Sequence, residues 1–241
     1  MTDTKTSPKV ENHAPEYDLE ALLEAGCHFG HQVKRWHPKM APYIYTAKNG
    51  VHIFDLAKTA EQMQLAYNRL YQLGKEGKQV IFVGTKRQAR EIVKTSAKEN
   101  GAMYIVSRWL GGLLTNWQQV GKSLKKMLKI EEDQEKDEYK NYTKYERVQI
   151  DKDRIRLERF FGGIRDMKKA PAAIFVVDPK REINAVLEAE KMGVEVIALA
   201  DTDADPVNID IVIPANDDAI ASIELIVTEM AKAYGEGRKA K

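Results

Sequence analysis

The run Ala-Ala-Ile-Phe-Val-Val at residues 172–177 is apolar at every position. Four more runs rich in valine and isoleucine occur at residues 79–83, 102–106, 194–199 and 209–213. A strand with one wet face alternates apolar and polar side chains, whereas a strand covered on both faces is apolar almost throughout. The five runs therefore predict one parallel sheet with helices on both of its faces.

Helix-like segments separate these runs. In residues 55–75 the apolar side chains recur every three or four positions, which places them on one face of a helix. Residues 85–98, 179–192 and 217–234 are also helix-like, and two aspartates open the last of them, where acidic groups suit the helix dipole. Alternation of strands and helices predicts an α/β fold.

Between residues 109 and 169 the pattern changes to two long, highly charged helical stretches. In the first, Trp117, Val120, Leu124 and Met127 form a three-four repeat, which is typical of a coiled-coil seam. A segment of about sixty residues between two strands exceeds an ordinary crossover connection. We therefore predict an inserted, antiparallel coiled-coil hairpin that protrudes from the sheet domain.

The predicted domain boundaries follow from these assignments. The globular domain comprises residues 17–108 and 170–234, and the hairpin comprises residues 109–169. Residues 1–16 are predicted to be a flexible tail, and residues 235–241 a flexible basic tail.

Composition predicts a cytoplasmic protein. Cys27 is the only cysteine, so no internal disulfide can form, as is usual in a reducing compartment. The first fifteen residues are polar and lack the apolar centre of a signal peptide. No stretch of eighteen apolar residues is present, so no membrane-spanning helix is expected.

Charge is divided unevenly along the chain. Residues 171–241 hold 14 acidic and 7 basic side chains, a net charge of −7, which leaves +9 for residues 1–170 because the whole chain carries +2. Such asymmetry indicates a polyanionic partner on one side of the molecule. The alternative is uneven decoration of the surface.

The segment 25–54 contains no acidic side chain but holds four of the five histidines and the cations Lys34, Arg35, Lys39 and Lys48. Five aromatic residues are interleaved with these cations. Cations neutralise phosphate and aromatic faces stack on unpaired bases, so the pattern favours RNA binding. For any single ring the alternative is packing within the protein. Two prolines interrupt any helix here and predict a loop-like surface element.

A second acid-free stretch covers residues 100–130 and includes Arg108 and Lys122 at the start of the predicted hairpin. Contact with phosphate explains the absence of acidic residues. A solvated helix face is the alternative.

An enzyme is the competing hypothesis. Gly84, Thr85 and Lys86 lie between a strand and a helix, where backbone amides can bind an anion, but the spacing matches neither a Walker A loop nor a GxGxxG turn. A run of aspartates at residues 201–205 follows another strand and suits either magnesium or an ordinary turn before Pro206, and we favour the turn. A nucleotide- or metal-dependent α/β enzyme therefore stays open as an alternative.

Metal binding is a second open alternative. Cys27, His28 and His31 offer ligand atoms for zinc, with His37 nearby, but their spacing matches no familiar zinc pattern. No catalytic residue, cofactor or small-molecule substrate is predicted.

Six blocks of the sequence resemble the bacterial small-subunit (30S) ribosomal protein S2 family. They occur in the order of that family and cover most of residues 17–230. The blocks are LLEAGCHFGHQVKRWHPKMAPYIY, NGVHIFDLAKT, IFVGTKRQA, RWLGGLLTNW, FGGIRDMKKAP and ALADTDADPVNIDIVIPANDDAIASI.

The resemblance implies a Rossmann-like, flavodoxin-like sheet with a protruding coiled-coil hairpin, and no enzymatic activity. It further implies a place on the small subunit between head and body, contact with 16S ribosomal RNA, and docking of ribosomal protein S1. The residues in matching blocks that it implies as RNA-binding are His31, Lys34, Arg35, Trp36, Lys39, Lys86, Arg87, Arg108 and Asn116. The second acid-free stretch adds Lys122.

The sequence departs from the family in two places. Asp203 stands where similar proteins more often have asparagine, and its charge makes RNA contact at that turn less favourable. The acidic run at residues 131–138 matches nothing specific and should repel phosphate, so we expect it to face solvent or a protein.

Overall fold

The computed structural model describes residues 12–136 and 138–240. Most of the tail predicted over residues 1–16 therefore lies outside the described residues, as do Asp137 and Lys241. The elements, in chain order, are α1 (Leu19–Glu24), β1 (Phe29–Gln32), β2 (Ile44–Lys48), β3 (Val51–Phe54), α2 (Leu56–Lys75), β4 (Val80–Val83), α3 (Arg90–Glu99), β5 (Met103–Ile105), α4 (Trp117–Glu135), α5 (Lys144–Phe161), β6 (Ala173–Val177), α6 (Ile183–Met192), β7 (Glu195–Ala200), β8 (Ile211–Pro214) and α7 (Ile220–Lys239).

The five predicted strands form one parallel sheet in the order β5-β4-β6-β7-β8. When the five strands of this sheet are renumbered 1 to 5 in chain order, their spatial order is 2-1-3-4-5. This order defines the flavodoxin-like arrangement. The predicted α/β fold is thus confirmed. In this arrangement the chain switches direction between β4 and β6, and ligands of such folds bind at the carboxyl ends of those two strands.

Both faces of the sheet are buried, as the apolar runs predict. Ile81 and Val83 of β4 belong to a buried cluster that includes residues of α4 and α6. Val80 and Phe82 belong to the opposite cluster, with residues of α2, α3 and α7. Alternate side chains of one strand therefore enter two separate helix layers, which explains why β4 contains no polar position.

Two predicted helices start later in the structure than in the sequence analysis. α3 begins at Arg90 instead of residue 85, because residues 86–89 form a turn that donates the Ala89 and Arg90 amides to the Lys86 carbonyl. α7 begins at Ile220 instead of residue 217, so the aspartates predicted to lie in its first turn precede the helix.

The end of α7 differs as well. We predicted a flexible tail from residue 235, but the helix continues to Lys239. Gly235 and Gly237 are buried, and a side chain at Gly237 would collide with the backbone carbonyl of Tyr71 in α2. Gly237 allows the backbones of α2 and α7 to pack closely, and Gly235 leaves room for the Asn100 side chain, so α7 stays packed beyond residue 234.

Helix α4 lies against helix α5, and buried residues of both helices belong to one cluster. The buried residues of α4, from Val120 to Ile130, belong to the same cluster as Ile81 and Val83. The buried side of α4 is thus continuous with the core of the sheet domain, and the hairpin boundaries at residues 109–169 stay a prediction. An apolar repeat of three and four residues suits a helix on a sheet as well as a helix in a coiled coil. The coiled coil itself stays a prediction.

The amino-terminal segment is a small antiparallel sheet, ordered β1-β3-β2, instead of the loop that we predicted. Asn49 and Gly50 form its tight turn with φ values of 54° and 77°. This sheet docks at the carboxyl edge of the large sheet. The His37 amide donates to the Thr202 carbonyl at 2.7 Å, and the Asn216 amide donates to the Cys27 carbonyl at 3.1 Å.

Among the residues described, no helix combines the length and the apolar character that crossing a membrane requires.

Candidate nucleic-acid interface

Most of the predicted RNA-binding residues lie along one edge of the large sheet. Lys86 and Arg87 follow β4, and Arg108 follows β5, whose carboxyl end lies beside that of β4. The amino-terminal sheet, which carries Lys34 and Arg35, is docked to the loops after β7 and β8 on the same edge. The parallel fold therefore gathers side chains that are far apart in sequence.

Five of the predicted cations are exposed, and none forms an ion pair with any residue that the structure describes. They are Lys34, Arg35, Arg87, Arg108 and Lys122. These cations can bind a polyanion without breaking an internal ion pair.

Trp36 presents an aromatic surface beside these cations. Its side chain is 38% exposed, and its ring lies 5.1 Å from the ring of His52 at an angle of 47°. His52 is buried, and neither of its ring nitrogens has a hydrogen-bond partner among the described residues. His52, which no sequence motif marks, supports one side of the indole while the remaining surface faces solvent.

Lys86 has a different environment from the exposed cations. Its ammonium lies 2.7 Å from Asp217, 2.6 Å from Asp218 and 3.6 Å from Asp178, and only 11% of its side chain is exposed. Burial lowers the pKa of Lys86, but the three carboxylates outweigh burial and raise the pKa overall. Burial of Asp217 itself, with repulsion from Asp178 and Asp201, raises the pKa of Asp217 to about 7.

His31 is also paired internally. Its Nδ1 lies 2.9 Å from a carboxylate oxygen of Asp201, and its backbone amide donates to the Asp201 carboxylate and the Thr202 hydroxyl. The hydrogen bond to Asp201 raises the pKa of His31 to about 9, against the opposing effect of burial, with Asp203 and Asp217 adding attraction. The imidazole is therefore charged at neutral pH.

The run 201–205 holds the amino-terminal sheet through its aspartates. The Asp205 carboxylate lies 3.4 Å from the Lys39 ammonium and accepts the Val207 amide at 3.1 Å, as expected for the turn that we favoured. Asp203 accepts a charged hydrogen bond of 2.7 Å from Lys180. Part of the acidic excess after residue 171 thus neutralises cations of the same molecule.

The predicted cluster of Cys27, His28 and His31 is not assembled as a metal site. Cys27 is fully buried, and the centroid of the His28 ring lies 3.9 Å from that of the Phe29 ring, at an angle of 40°. In the described part of the chain, His31 instead meets Asp201 and Asp217, with one ligand atom of each within 4.8 Å of the others. His31 is ion-paired with Asp201, and Lys86 with Asp217, so both carboxylates of this group take part in internal ion pairs.

The possible phosphate-binding turn after β4 is filled by the protein itself. The Gly84 amide donates to the Ile105 carbonyl at 3.0 Å, and the Thr85 hydroxyl donates to the buried carboxylate of Glu182. The three aspartates around Lys86 would repel a phosphate at this position. Polar groups of the chain thus occupy the place where a flavodoxin-like fold binds its ligand.

Sequence reasoning also missed Glu188, which lies on α6 and organises the loop before α4. Its carboxylate accepts hydrogen bonds from the Trp109 indole, at 3.1 Å, and from backbone amides of the loop, including those of Gly112 and Leu114. Burial raises the pKa of Glu188, but these hydrogen bonds outweigh burial and lower the pKa overall. Nothing in the spacing of Glu188 distinguishes it from a solvated helix residue.

Fold and site together define a flavodoxin-like α/β protein whose ligand crevice is closed by its own ion pairs and whose exposed cations line the same edge. Residues 22–237 match the family model described as Ribosomal protein S2. The chain belongs to the Ribosomal protein S2 family, and the resemblance seen in the six sequence blocks is confirmed. It is accordingly a structural protein of the small ribosomal subunit.

Proposed function

We propose that this protein binds 16S ribosomal RNA along the carboxyl edge of its large sheet and the docked amino-terminal sheet. The observation that carries the proposal is the set of exposed, unpaired cations on this edge. Cations that neutralise phosphates supply most of the affinity of such an interface and fix its register on the RNA. Positioning RNA within the subunit is the proposed mechanism.

The predicted contact residues divide into two groups under this proposal. Lys34, Arg35, Arg87, Arg108 and Lys122 reach phosphate, with Trp36 and Asn116 as uncharged contacts. Lys86 and His31 hold the scaffold, because aspartates of the protein already neutralise them. Lys39 is 53% exposed beside Asp205 and therefore serves both purposes.

A structural role, without catalysis, is part of the proposal. It is supported by the filled turn after β4, where Thr85 donates to Glu182 and Lys86 is surrounded by carboxylates. The alternative of a nucleotide-dependent enzyme is tested by equilibrium binding of labelled nucleotides with magnesium. Saturable binding at micromolar concentration that Lys86→Ala abolishes would favour the enzyme.

We further propose that the protein acts in the cytoplasm, supports assembly of the small subunit and helps to dock ribosomal protein S1. The acidic surface near the end of α4 suits a protein or solvent because it repels RNA phosphate. Glu132 and Asp133 lie there, among exposed polar residues.

The decisive experiment reverses the charge of the exposed loop with Lys34→Glu and Arg35→Glu in one variant. A matched control, Lys98→Glu with Lys191→Glu, makes the same change of charge at the opposite edge of the sheet, where α3 and α6 end. Each variant is expressed beside the wild type, and incorporation is measured by sucrose-gradient sedimentation and immunoblot. We expect the loop variant to leave the 30S fractions while the control stays in them.

Normal incorporation of the loop variant would contradict the proposed interface. Equal loss in both variants would show that net charge, and not this edge, governs incorporation. A wild-type protein that stays in the soluble fractions at both low and high magnesium would contradict the ribosomal role itself.

A further inference from the structure

Glu188 lies on α6 but is bonded to the loop that joins β5 to α4. Its carboxylate accepts the amides of Gly112, Leu114 and Thr115 at 2.8, 3.0 and 3.3 Å, and the Thr115 hydroxyl at 3.3 Å. The Trp109 indole donates to the same carboxylate at 3.1 Å. Five donors from one loop thus converge on one side chain.

Packing anchors part of this loop, because Trp109, Leu113 and Leu114 are buried in the core. Gly111 and Gly112 lie at its centre, and Gly112 has a φ of 86°, which only glycine adopts readily. A short backbone turn links the Leu113 amide to the Leu110 carbonyl at 3.1 Å. Hydrogen bonds to a charged acceptor are about twice as strong as neutral ones, so the carboxylate is a strong polar restraint on the loop backbone.

The loop carries two proposed RNA contacts at its ends. Arg108 precedes Trp109 directly, and Asn116 follows Thr115 directly and precedes the first residue of α4. Both side chains are exposed, and neither side chain forms a hydrogen bond with a residue that the structure describes. Fixing Trp109 and Thr115 therefore fixes the backbone on which Arg108 and Asn116 stand.

We propose that Glu188 is a positioning residue for RNA binding: an acidic side chain that fixes the loop presenting Arg108 and Asn116 to phosphate. This inference rests on the proposed function. It has a counterintuitive consequence, because removing a negative charge ordinarily strengthens binding to RNA, whereas removal of this one should weaken it.

The test combines Glu188→Gln with Arg108→Ala, singly and together, in the full-length chain. Affinity for a 16S ribosomal RNA transcript is measured by filter binding across a range of salt concentrations. The loss of one phosphate contact lowers the slope of log affinity against log salt by about 0.9. We expect that decrease in each single variant and no further decrease in the double variant, since Glu188 acts through Arg108.

Glu190→Gln is the matched control, because it removes the same charge from an exposed position on the same helix. It should leave RNA affinity unchanged or raise it.

The indole N–H resonance of Trp109 gives a second readout: Glu188→Gln should shift it, while the resonances of Trp36 and Trp117 stay in place. Thr115→Val, which removes a single donor, is a milder variant in case Glu188→Gln fails to fold, and it should shift the same resonance and weaken binding less.

An unchanged slope in Glu188→Gln, or additive losses in the double variant, would overturn the inference. Failure of the wild-type protein to bind the transcript would contradict the proposed function and the inference together. That result is distinguishable, because it appears before any substitution is made.

Discussion

The imidazole Nδ1 of His31 lies 2.9 Å from a carboxylate oxygen of Asp201, and this pair joins the amino-terminal sheet to the end of β7. The two residues are 170 positions apart in sequence. A side chain predicted to bind RNA is therefore engaged in holding two parts of the protein together, and the consequence is a measurable dependence of stability on pH.

The free energy of unfolding should fall as pH rises from about 6.5 to about 9. The pKa of His31 is raised to about 9 in the folded protein and is about 6.5 in the unfolded chain. The folded state therefore binds more protons in this window, and its stabilisation is complete below the lower value and lost above the higher one. This contribution of His31 to the free energy of unfolding is at most about 3 kcal/mol.

Urea unfolding at pH 6 and pH 9 measures this effect. Asp201→Asn should lower stability at pH 6 and remove most of the difference between the two pH values. An equal pH dependence in the wild type and in Asp201→Asn would show that another group is responsible.

Lys86 and Arg87 are adjacent but should behave oppositely when replaced by methionine. Lys86→Met leaves Asp217 and its neighbours without their cation, which should destabilise the fold by about 3 kcal/mol. Arg87→Met should change stability by less than about 0.5 kcal/mol. It should, however, lower the salt slope of RNA binding by about 0.9.

Thermal unfolding and salt-dependent filter binding of both variants decide between these roles. A stable Lys86→Met protein with a reduced salt slope would restore Lys86 as a phosphate contact, as the sequence alone suggested.

Sequence patterns predicted the large sheet because a strand that is buried on both faces is apolar at almost every position. All five apolar runs are strands, and the longest charged stretch is helical. The small sheet was also readable: the Asn49-Gly50 pair favours a two-residue hairpin turn, and the structure has positive φ at both positions. The prolines and the high charge of the segment led us to predict a loop instead.

The division of the cations into paired and free could not be predicted from the sequence. Lys86 and Arg87 are neighbours with similar chemistry, and only the tertiary fold brings Asp217 and Asp178 beside the first of them. The acid-free pattern of residues 25–54 likewise hid the pairing of His31 and Lys39, since their carboxylates lie some 170 residues further on. A local run of cations therefore predicts exposed, unpaired charges only when the fold brings no acidic side chain from a distant part of the chain beside them.

Gly237→Ala should destabilise the protein strongly, whereas Gly121→Ala should not. A methyl group at Gly237 would collide with the Tyr71 carbonyl, so α2 and α7 would have to separate. Overpacking of this kind costs roughly 1–3 kcal/mol. Gly121 lies inside α4 with open space around it, so alanine there should stabilise the helix by about 0.5–1 kcal/mol.

Chemical denaturation of both variants provides the comparison. If both substitutions were stabilising, α7 would not pack against α2 through this glycine, and the tail beyond residue 234 would be flexible, as the sequence analysis predicted.

Trp36→Leu should weaken RNA binding without changing its dependence on salt. The exposed indole surface is suited to stack on an unpaired base, and such stacking contributes about 1–3 kcal/mol per base. Leucine keeps the apolar contact with His52 but removes the aromatic face. Since no charge is lost, the affinity should fall at least fivefold or so at every salt concentration while the slope stays constant.

The matched control is Tyr145→Leu, because Tyr145 is an exposed aromatic residue at the start of α5, outside the proposed interface. Filter binding with the 16S transcript should show wild-type affinity for this control. An unchanged affinity in Trp36→Leu would mean that the indole only covers His52, and the interface would then consist of phosphate contacts alone. A reduced slope would instead mean that Trp36 acts by holding Arg35 in place, since the two residues are adjacent in the same exposed loop.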